Sequence, residues 1–245
     1  MGAMTSILNI AAYLFVALDE LEPRRERLLG NAENLGLKGT VLLAEEGINL
    51  FLAGEPASVY QWLDQLRADS PFAALTWKES WSDTVPFKRL KVRIKNEIIR
   101  MNHPTIAPQS VRAPAVSAMT LKRWLDQGAD DSGRPILMLD TRNDFEVQAG
   151  RFAHALDLGI RMFTEFPQEV KKIREQFAGK TVVSYCTGGI RCEKASLYLT
   201  QLGLSDHWQL DGGILKYFEE VGGAHYEGRC VVFDEREALN PDLTP

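Results

Sequence analysis

Hydrophobic and polar positions in the N-terminal part of the chain predict a mixture of strands and helices. Apolar or alternating runs predict strands, and apolar residues at helical spacing predict helices. The order β-α-β-β-α-β matches a ferredoxin-like α+β domain. The predicted strands are 10–16, 38–44, 48–54, 75–81 and 90–99, and the predicted helices are 22–35 and 56–66, the second opened by Pro56.

The rest of the chain alternates short apolar strands with amphipathic helices. Such alternation predicts an α/β domain with a central parallel sheet, whose ligands bind beyond the carboxyl ends of the strands. The predicted strands are 136–140, 181–184 and one that begins at His207, and the predicted helices are 116–128, 166–177, 194–203 and a last one that ends near Val221.

A segment between the two patterns reads differently from both. Residues 102–114 hold three prolines and few large apolar side chains, and they show no period, which is typical of a linker. The predicted organisation is an N-terminal domain at 1–101, this linker, a second domain at 115–225 and a C-terminal tail at 226–245.

Composition and charge limit the partners and the cellular compartment that we expect for this chain. A net charge of −5 argues against indiscriminate nucleic-acid binding but allows a local basic patch. Three cysteines are too few for a disulfide framework and have no metal-site spacing, so we expect a reducing cytoplasm and no bound metal. Residues 1–5 lack the basic segment of a signal peptide, and the apolar run 8–18 is too short to span a membrane.

The strongest chemical signal is Cys186, which lies where a predicted strand ends and a helix begins. Backbone N–H groups of such a loop converge on one point, where they hold an anion and lower the pKa of a thiol. Arg191 adds a fixed positive charge. We therefore predict a nucleophilic thiolate, against the alternative of an inert buried cysteine. The loop around it is completed by Thr187, Gly188, Gly189 and Ile190.

The other reactive side chains give weaker signals. Cys192 lies on or near the first turn of the following helix, and it either resolves a sulfenate or persulfide on Cys186 or is a small core residue. Cys230 is predicted to be a core residue of a strand. The four histidines are scattered along the chain, so no Cys-His dyad is predicted.

Two motifs of the second domain carry a resemblance to a known family. Four residues separate Cys186 from Arg191, as in the active-site loop of rhodanese-type sulfurtransferases; the loops of tyrosine phosphatases are one residue longer. The run Cys-Thr-Gly-Gly-Ile-Arg-Cys-Glu-Lys-Ala at 186–195 resembles the signature of the rhodanese-like tRNA uridine hydroxylase family. The run 140–146 resembles the first rhodanese signature, Asp-x-Arg followed by an acidic residue four positions on. The resemblance implies that Asp140, Arg142 and Glu146 support this loop.

A second chemical signal lies in the predicted strand 90–99. Apolar residues alternate there with Arg89, Lys91, Arg93 and Lys95, which therefore share one face. Such a stripe is able to contact successive phosphates of a nucleic acid. The alternative is a solvated strand face or an edge guarded by cations.

The resemblance extends into the N-terminal domain. Residues 37–49 and 87–95 resemble the N-terminal domain of the same hydroxylase family. The chain departs from the family at Leu50-Phe51, where Gly-Thr is expected, and at residues 150–152, where Gly-Arg-Phe replaces the usual rhodanese Gly-His-Ile.

The resemblance implies an oxygen-dependent enzyme that forms 5-hydroxyuridine at the wobble position of tRNA, with Cys186 as the essential thiol. It implies tRNA as the partner and no cofactor besides molecular oxygen. Two working forms stay open, a thiolate that adds to C6 of the pyrimidine and a persulfide. The main alternative is a sulfurtransferase that takes sulfur from thiosulfate or a donor protein and carries it as a persulfide on Cys186. A binding module with an inactive rhodanese domain is disfavoured by the intact loop.

Overall fold

A computed structural model describes residues 6–245 of the chain. Contacts between Cα atoms divide it into an N-terminal unit that ends at Ile99 and a C-terminal unit from Arg100 to Pro245. The expectation about a leader segment at residues 1–5 lies outside the described residues. Within them, no helix is both long enough and apolar enough to cross a membrane.

The N-terminal unit has the ferredoxin-like architecture that the strand and helix order predicts. Its sheet has the order β4-β1-β3-β2-β5, in which only β5 runs parallel to its neighbour, β2. The elements are β1 (Ile7–Phe15), α1 (Leu21–Asn34), β2 (Lys38–Ala44), β3 (Gly47–Gly54), α2 (Pro56–Arg67), β4 (Trp77–Ser82) and β5 (Leu90–Ile94).

Helices α1 and α2 cover one face of this sheet. Alternate residues of the strands, such as Val41, Leu43 and Leu50, are fully buried there together with Trp62 of α2. Every second residue of β2 is buried, and most residues of β1 and β3 are buried, which explains why alternation and apolar runs predict these strands. The last strand is shorter than predicted, because the chain leaves the ladder after Lys95 and Ile98 instead donates its N–H to Glu46 (2.7 Å).

The C-terminal unit is built on a four-stranded parallel sheet of order β6-β10-β9-β7, as the alternation predicts. Its helices are α3 (Ala118–Gln127), α4 (Asp144–Ala149), α5 (Phe166–Lys172), α6 (Ile190–Gln201) and α7 (Gly213–Val221). Its strands are β6 (Ala115–Val116), β7 (Ile136–Asp140), β8 (Gly150–Phe152), β9 (Thr181–Tyr185), β10 (His207–Leu210), β11 (Tyr226–Gly228), β12 (Cys230–Val231) and β13 (Ala238–Leu239).

Three predicted helices differ from those in the structure. The helix predicted at 116–128 begins at Ala118, because Val116 pairs with β10 as part of strand β6. The predicted helix 166–177 is interrupted after Lys172, and a 3-10 turn, Arg174–Phe177, continues the chain. Helix α6 begins at Ile190 rather than at Lys194, because Gly189 adopts a φ of 100° that starts the helix directly after the loop. Cys192 therefore lies in the first turn of α6.

The segment 102–114 and the C-terminal tail both lie on the C-terminal unit. Thr105 donates to Gln201 (3.1 Å), and Gln209 donates its backbone N–H to Pro114 (2.9 Å). In the tail, β11 pairs with β8, and β12 pairs with β13. The tail reaches the β9–α6 loop, where the hydroxyl of Thr187 donates to the carbonyl of Val231 (3.4 Å), and the segment 102–114 reaches the start of α6, where Arg112 donates to Glu193 (3.1 Å).

Candidate active site

Cys186 lies directly beyond the carboxyl end of β9, in the loop that leads to α6. Its Sγ atom accepts a hydrogen bond from the backbone N–H of Gly189 (3.1 Å). The carbonyls of Cys186 and Thr187 point away from the sulfur and accept N–H groups of Ile214 (2.9 Å) and Leu215 (3.1 Å) at the start of α7. The loop is therefore curled with amides towards the sulfur and carbonyls towards α7.

Gly213 makes this close packing of α7 on the loop possible. A Cβ atom at this position would lie 2.5 Å from the carbonyl oxygen of Cys186 and 2.7 Å from the backbone nitrogen of Gly189. The residue also has a φ of 68°, in the left-handed region that favours glycine. Gly213 is thus part of the site, although it lies far from Cys186 in the sequence.

The surroundings of Cys186 favour its thiolate form. Burial of the side chain raises the pKa of the thiol, but a hydrogen bond from Cys192, the positive charge of Arg191 and backbone N–H groups lower it by more. The pKa of Cys186 falls from 9.0 to about 5 as a result. Burial and the neighbouring Cys186 raise the pKa of Cys192, so that Cys192 stays a neutral thiol and a donor.

Arg191 is held by a buried carboxylate. Its two terminal nitrogens donate to the two oxygens of Glu146, at 2.6 and 2.7 Å, and both side chains are buried. Burial raises the pKa of Glu146, but the hydrogen bond and charge of Arg191 lower it by more, so the carboxylate is ionised. Arg191 therefore acts on Cys186 by its charge, while Glu146 fixes the orientation of its guanidinium.

The remaining residues of the predicted support group form a second buried ion pair. Arg142 donates to both carboxylate oxygens of Asp140, the shortest contact being 2.7 Å, and to the carbonyl of Gly150 (2.6 Å). Thr187 lies with its hydroxyl 3.2 Å from Glu146. The structure thus brings Asp140, Arg142 and Glu146 together beneath the loop.

Sequence reasoning missed a polar cluster on the other side of α6. Glu193 is buried and accepts hydrogen bonds from Gln209 of β10 (2.9 Å) and from Arg112 (3.1 Å). Arg112 also pairs with Asp211 (2.7 Å). A charged residue in the first turn of a helix indicates favourable helix-dipole interactions, but its partners are distant in the sequence and only the fold identifies them.

The predicted cationic stripe lies in the N-terminal unit, on β5. Backbone bonds from Gly39 to Arg89 (3.2 Å) and from Lys95 to Leu43 (2.8 Å) extend the pairing beyond the strand at both ends. The four cationic side chains therefore lie on the same face of β5, opposite the apolar face that packs on α1. Arg89, Arg93 and Lys95 are exposed and Lys91 is half-buried. Since β5 is an edge strand, a role in protecting the edge is also compatible with these positions.

The ionisable side chains of the site are paired with one another rather than grouped around a vacant centre. Across residues 6–245, no group of three or more His, Cys, Asp or Glu side chains is arranged to hold a metal ion.

These features define a class of protein with an acylphosphatase-like N-terminal domain and a rhodanese-like domain that presents a cysteine on its loop. Residues 7–98 match the model of the UPF0176 acylphosphatase like domain, and residues 117–220 match that of the rhodanese-like domain. The fold class predicted from the sequence is confirmed.

Curated relatives identify the family within this class. The chain is 61% identical over 242 residues to the tRNA uridine(34) hydroxylase of Bordetella petrii, covering 99% of this chain and 96% of the relative. It is 61% identical to the protein of that name from Variovorax paradoxus, covering 98% and 92% of the two chains. The corresponding values for the Thiobacillus denitrificans protein are 57%, 98% and 97%. The chain belongs to the tRNA uridine(34) hydroxylase family, which confirms the resemblance seen in the sequence.

The lowered pKa of Cys186 gives a prediction for its titration. The thiolate absorbance in the ultraviolet should appear with a midpoint near pH 5 in the wild type, and this step should be absent from Cys186→Ser. Cys230→Ser is the matched control, because burial raises the pKa of Cys230 to about 12 and removes it from this range. A Cys186→Ser protein that keeps the step would contradict the assignment.

The same shift predicts how stability depends on pH. Because the folded-state pKa lies below that of an unfolded thiol, ionised Cys186 stabilises the folded state at alkaline pH, and this contribution declines as pH falls towards about 5. The difference in unfolding free energy between wild type and Cys186→Ser should therefore shrink over that range. Urea unfolding at a series of pH values measures it, and a difference that stays constant with pH would contradict the shift.

The buried pair of Arg191 and Glu146 predicts a large effect on stability. Glu146→Gln should lower the free energy of unfolding by about 3–5 kcal/mol, because it leaves the arginine charge buried without its partner. Glu219→Gln, which breaks an exposed pair with Lys216, is the control and should cost no more than about 1 kcal/mol. Urea unfolding measures both, and equal losses in the two variants would refute this role of the pair.

Proposed function

We propose that this chain hydroxylates C5 of the wobble uridine of tRNA, with molecular oxygen as co-substrate and Cys186 as the essential thiol. The observation that carries the proposal is the thiolate-forming loop of Cys186 in a chain that is 61% identical over nearly its whole length to tRNA uridine(34) hydroxylases. A location in the cytoplasm, where tRNA and reduced cysteines occur together, is part of the proposal.

The geometry of the loop suits a nucleophilic sulfur. Addition of the Cys186 sulfur to C6 of uridine forms an S–C6 bond and moves the electron pair of the C5=C6 bond to C5, the carbon that is hydroxylated. A persulfide on the same sulfur is the other working form. Insertion of one oxygen atom of O2 at C5 leaves the second atom to be reduced to water, which consumes two electrons and two protons from a thiol reductant. Loss of the proton on C5 then expels the Cys186 sulfur from C6 and restores the C5=C6 bond.

Cys192 is the proposed resolving thiol. It is buried, contacts the side chain of Cys186 and lies 3.7 Å from the hydroxyl of Thr141. Its raised pKa keeps it protonated until Cys186 is oxidised, and then it is the nearest thiol to attack a sulfenate or persulfide there.

The sulfurtransferase alternative uses the same loop with a different substrate. An anionic persulfide on Cys186 is compatible with the backbone N–H of Gly189 and with the charge of Arg191. Membership in the hydroxylase family does not favour it as the main activity. Thiosulfate and donor proteins therefore enter the proposal only as sources of a persulfide form.

The stripe of Arg89, Lys91, Arg93 and Lys95 is the proposed contact with the tRNA backbone. Its residues lie about 7 Å apart along an extended strand, a spacing close to that of successive phosphates. Their side chains form no ion pair among the residues that the structure describes, so the positive charges are available to an anionic partner.

Charge reversal tests the stripe. Arg93→Glu combined with Lys91→Glu should weaken tRNA binding roughly tenfold or more and reduce the dependence of affinity on salt by about one unit of slope for each phosphate that is no longer neutralised. Arg25→Glu is the control for one reversed charge away from the stripe, because Arg25 lies on α1, which covers the other face of the sheet. Unchanged affinity and slope in the double variant would remove the stripe from the proposed interface.

Nucleoside analysis tests the function itself. In cells that lack this protein, mass spectrometry of bulk tRNA should show a loss of 5-hydroxyuridine derivatives, which the wild type restores and Cys186→Ser does not. Cys230→Ser, with a buried cysteine that has a raised pKa, should restore them as well as the wild type does. An unchanged profile in cells that also lack any redundant pathway would contradict the proposed function.

A further inference from the structure

The burial of Cys186 places a demand on the substrate. The cysteine is fully buried, and its sulfur faces the amides of its own loop. A uridine that stacks between neighbours in an anticodon loop does not reach such a site, and enzymes that act on a base hold it away from its stack. An unstacked base no longer packs on its neighbours, so a protein surface that replaces them is expected beside the loop.

Two exposed apolar side chains lie on segments that are hydrogen-bonded to the site. Phe145 of α4 is 50% exposed and directly precedes Glu146, which holds Arg191 of the cysteine loop. Met162 is 58% exposed and lies two residues after Ile160. These exposures are large for side chains of this kind, and the fold of the C-terminal unit does not use their outer faces.

The two segments are joined to each other. Asp144, the residue before Phe145, donates its backbone N–H to the carbonyl of Ile160 (2.8 Å). The Met162 turn is closed in addition by Glu165, whose backbone N–H reaches the Met162 carbonyl (2.9 Å). Phe145 and Met162 are therefore presented by a single, internally bonded edge rather than by independent loops.

The charge next to this edge indicates an anionic ligand. Arg161 is exposed beside Met162, and within residues 6–245 its guanidinium forms no ion pair. Its backbone N–H donates to Glu165 (2.9 Å), which fixes the turn that carries it. An aromatic ring, a thioether and a free guanidinium match the base and the phosphate of one nucleotide.

The size of the patch argues against a protein as its main ligand. A stable protein interface buries about 1,000 Å² or more, whereas two exposed apolar side chains offer a small fraction of that area. A single base stacked on one ring needs no more than such a patch.

We propose that Phe145, Met162 and Arg161 form a receptor for one unstacked pyrimidine nucleotide, with the base against Phe145 and Met162 and its phosphate on Arg161. The receptor deepens the proposed hydroxylation and rests on it, because the nucleotide received is the one presented to Cys186. Phe145 is a positioning residue in this arrangement and takes no part in bond making.

Fluorescence of a substituted RNA tests the receptor directly. The probe is an anticodon stem–loop with a fluorescent pyrimidine analogue at the wobble position, titrated with the full chain. Wild type should change the emission as the base stacks on Phe145, and Phe145→Tyr should do the same. Phe145→Ala should abolish the change and weaken binding about tenfold.

Two further variants sharpen the test. Arg161→Gln should reduce the salt slope of binding by about one, because one phosphate is no longer neutralised. Met119→Ala is the matched control, since Met119 is 61% exposed on α3 and should leave emission and affinity unchanged. Equal melting temperatures of all variants show that the fold is intact.

The outcomes separate this inference from the proposed function. If Phe145→Ala changes the emission and binds as wild type does, the receptor is refuted, whether or not wild type hydroxylates tRNA. If Phe145→Ala keeps RNA binding and emission but loses hydroxylation in cells, the patch serves another protein and the inference is also refuted. Loss of the emission change in Phe145→Ala alone, with Phe145→Tyr intact, supports it even where the hydroxylation assay fails.

Discussion

The bidentate pair of Arg191 and Glu146 is the interaction on which the site depends most. Removing two such charges from water costs several kcal/mol for each ion, and only direct, well-oriented pairing offsets this cost. The pair joins α6, which begins at the end of the cysteine loop, to α4, which follows β7. Arg191 also lies close enough to lower the pKa of Cys186, so a structural contact and an electrostatic one share a side chain.

The charged side chains under the loop balance one another even when the charge of the Cys186 sulfur is left out. Asp140 pairs with Arg142, and Glu146 pairs with Arg191, so two carboxylates face two guanidinium groups. A thiolate at Cys186 adds a further negative charge. Its stabilisation therefore comes from oriented backbone N–H groups and the neutral thiol of Cys192 as well as from Arg191. The folded loop thus stabilises a sulfur anion before any substrate binds.

Much of the architecture could be predicted from the sequence, because local patterns determine it. Strands 38–44 and 136–140 have the predicted bounds, since their apolar runs reflect the burial of those residues. Cys186 could be placed at a strand end for the same reason. The predicted helix 166–177 was wrong in its second half, where the chain tightens into a 3-10 turn after Lys172. Periodicity alone does not show such a break.

The contacts that tune the site could not be predicted, because they join residues distant in the sequence. The approach of Gly213 to the loop and the burial of Glu193 against Gln209 arise only when β9, β10 and α6 are assembled. The motif around Cys186 indicated an anion site, but it did not show that the guanidinium of Arg191 donates its hydrogen bonds to Glu146. Spacing identifies the chemistry of a loop, and the fold decides which partners each charge has.

In the proposed reaction, the sulfur of Cys186 directs oxygen from O2 to a uridine of tRNA. The most direct measurement is an incubation of the purified chain with unmodified tRNA and a thiol reductant under oxygen gas labelled with the heavy isotope, followed by mass spectrometry of the nucleosides. We expect labelled 5-hydroxyuridine with wild type and none with Cys186→Ser. Label that comes instead from water, or an equal yield from Cys186→Ser, would contradict this reaction.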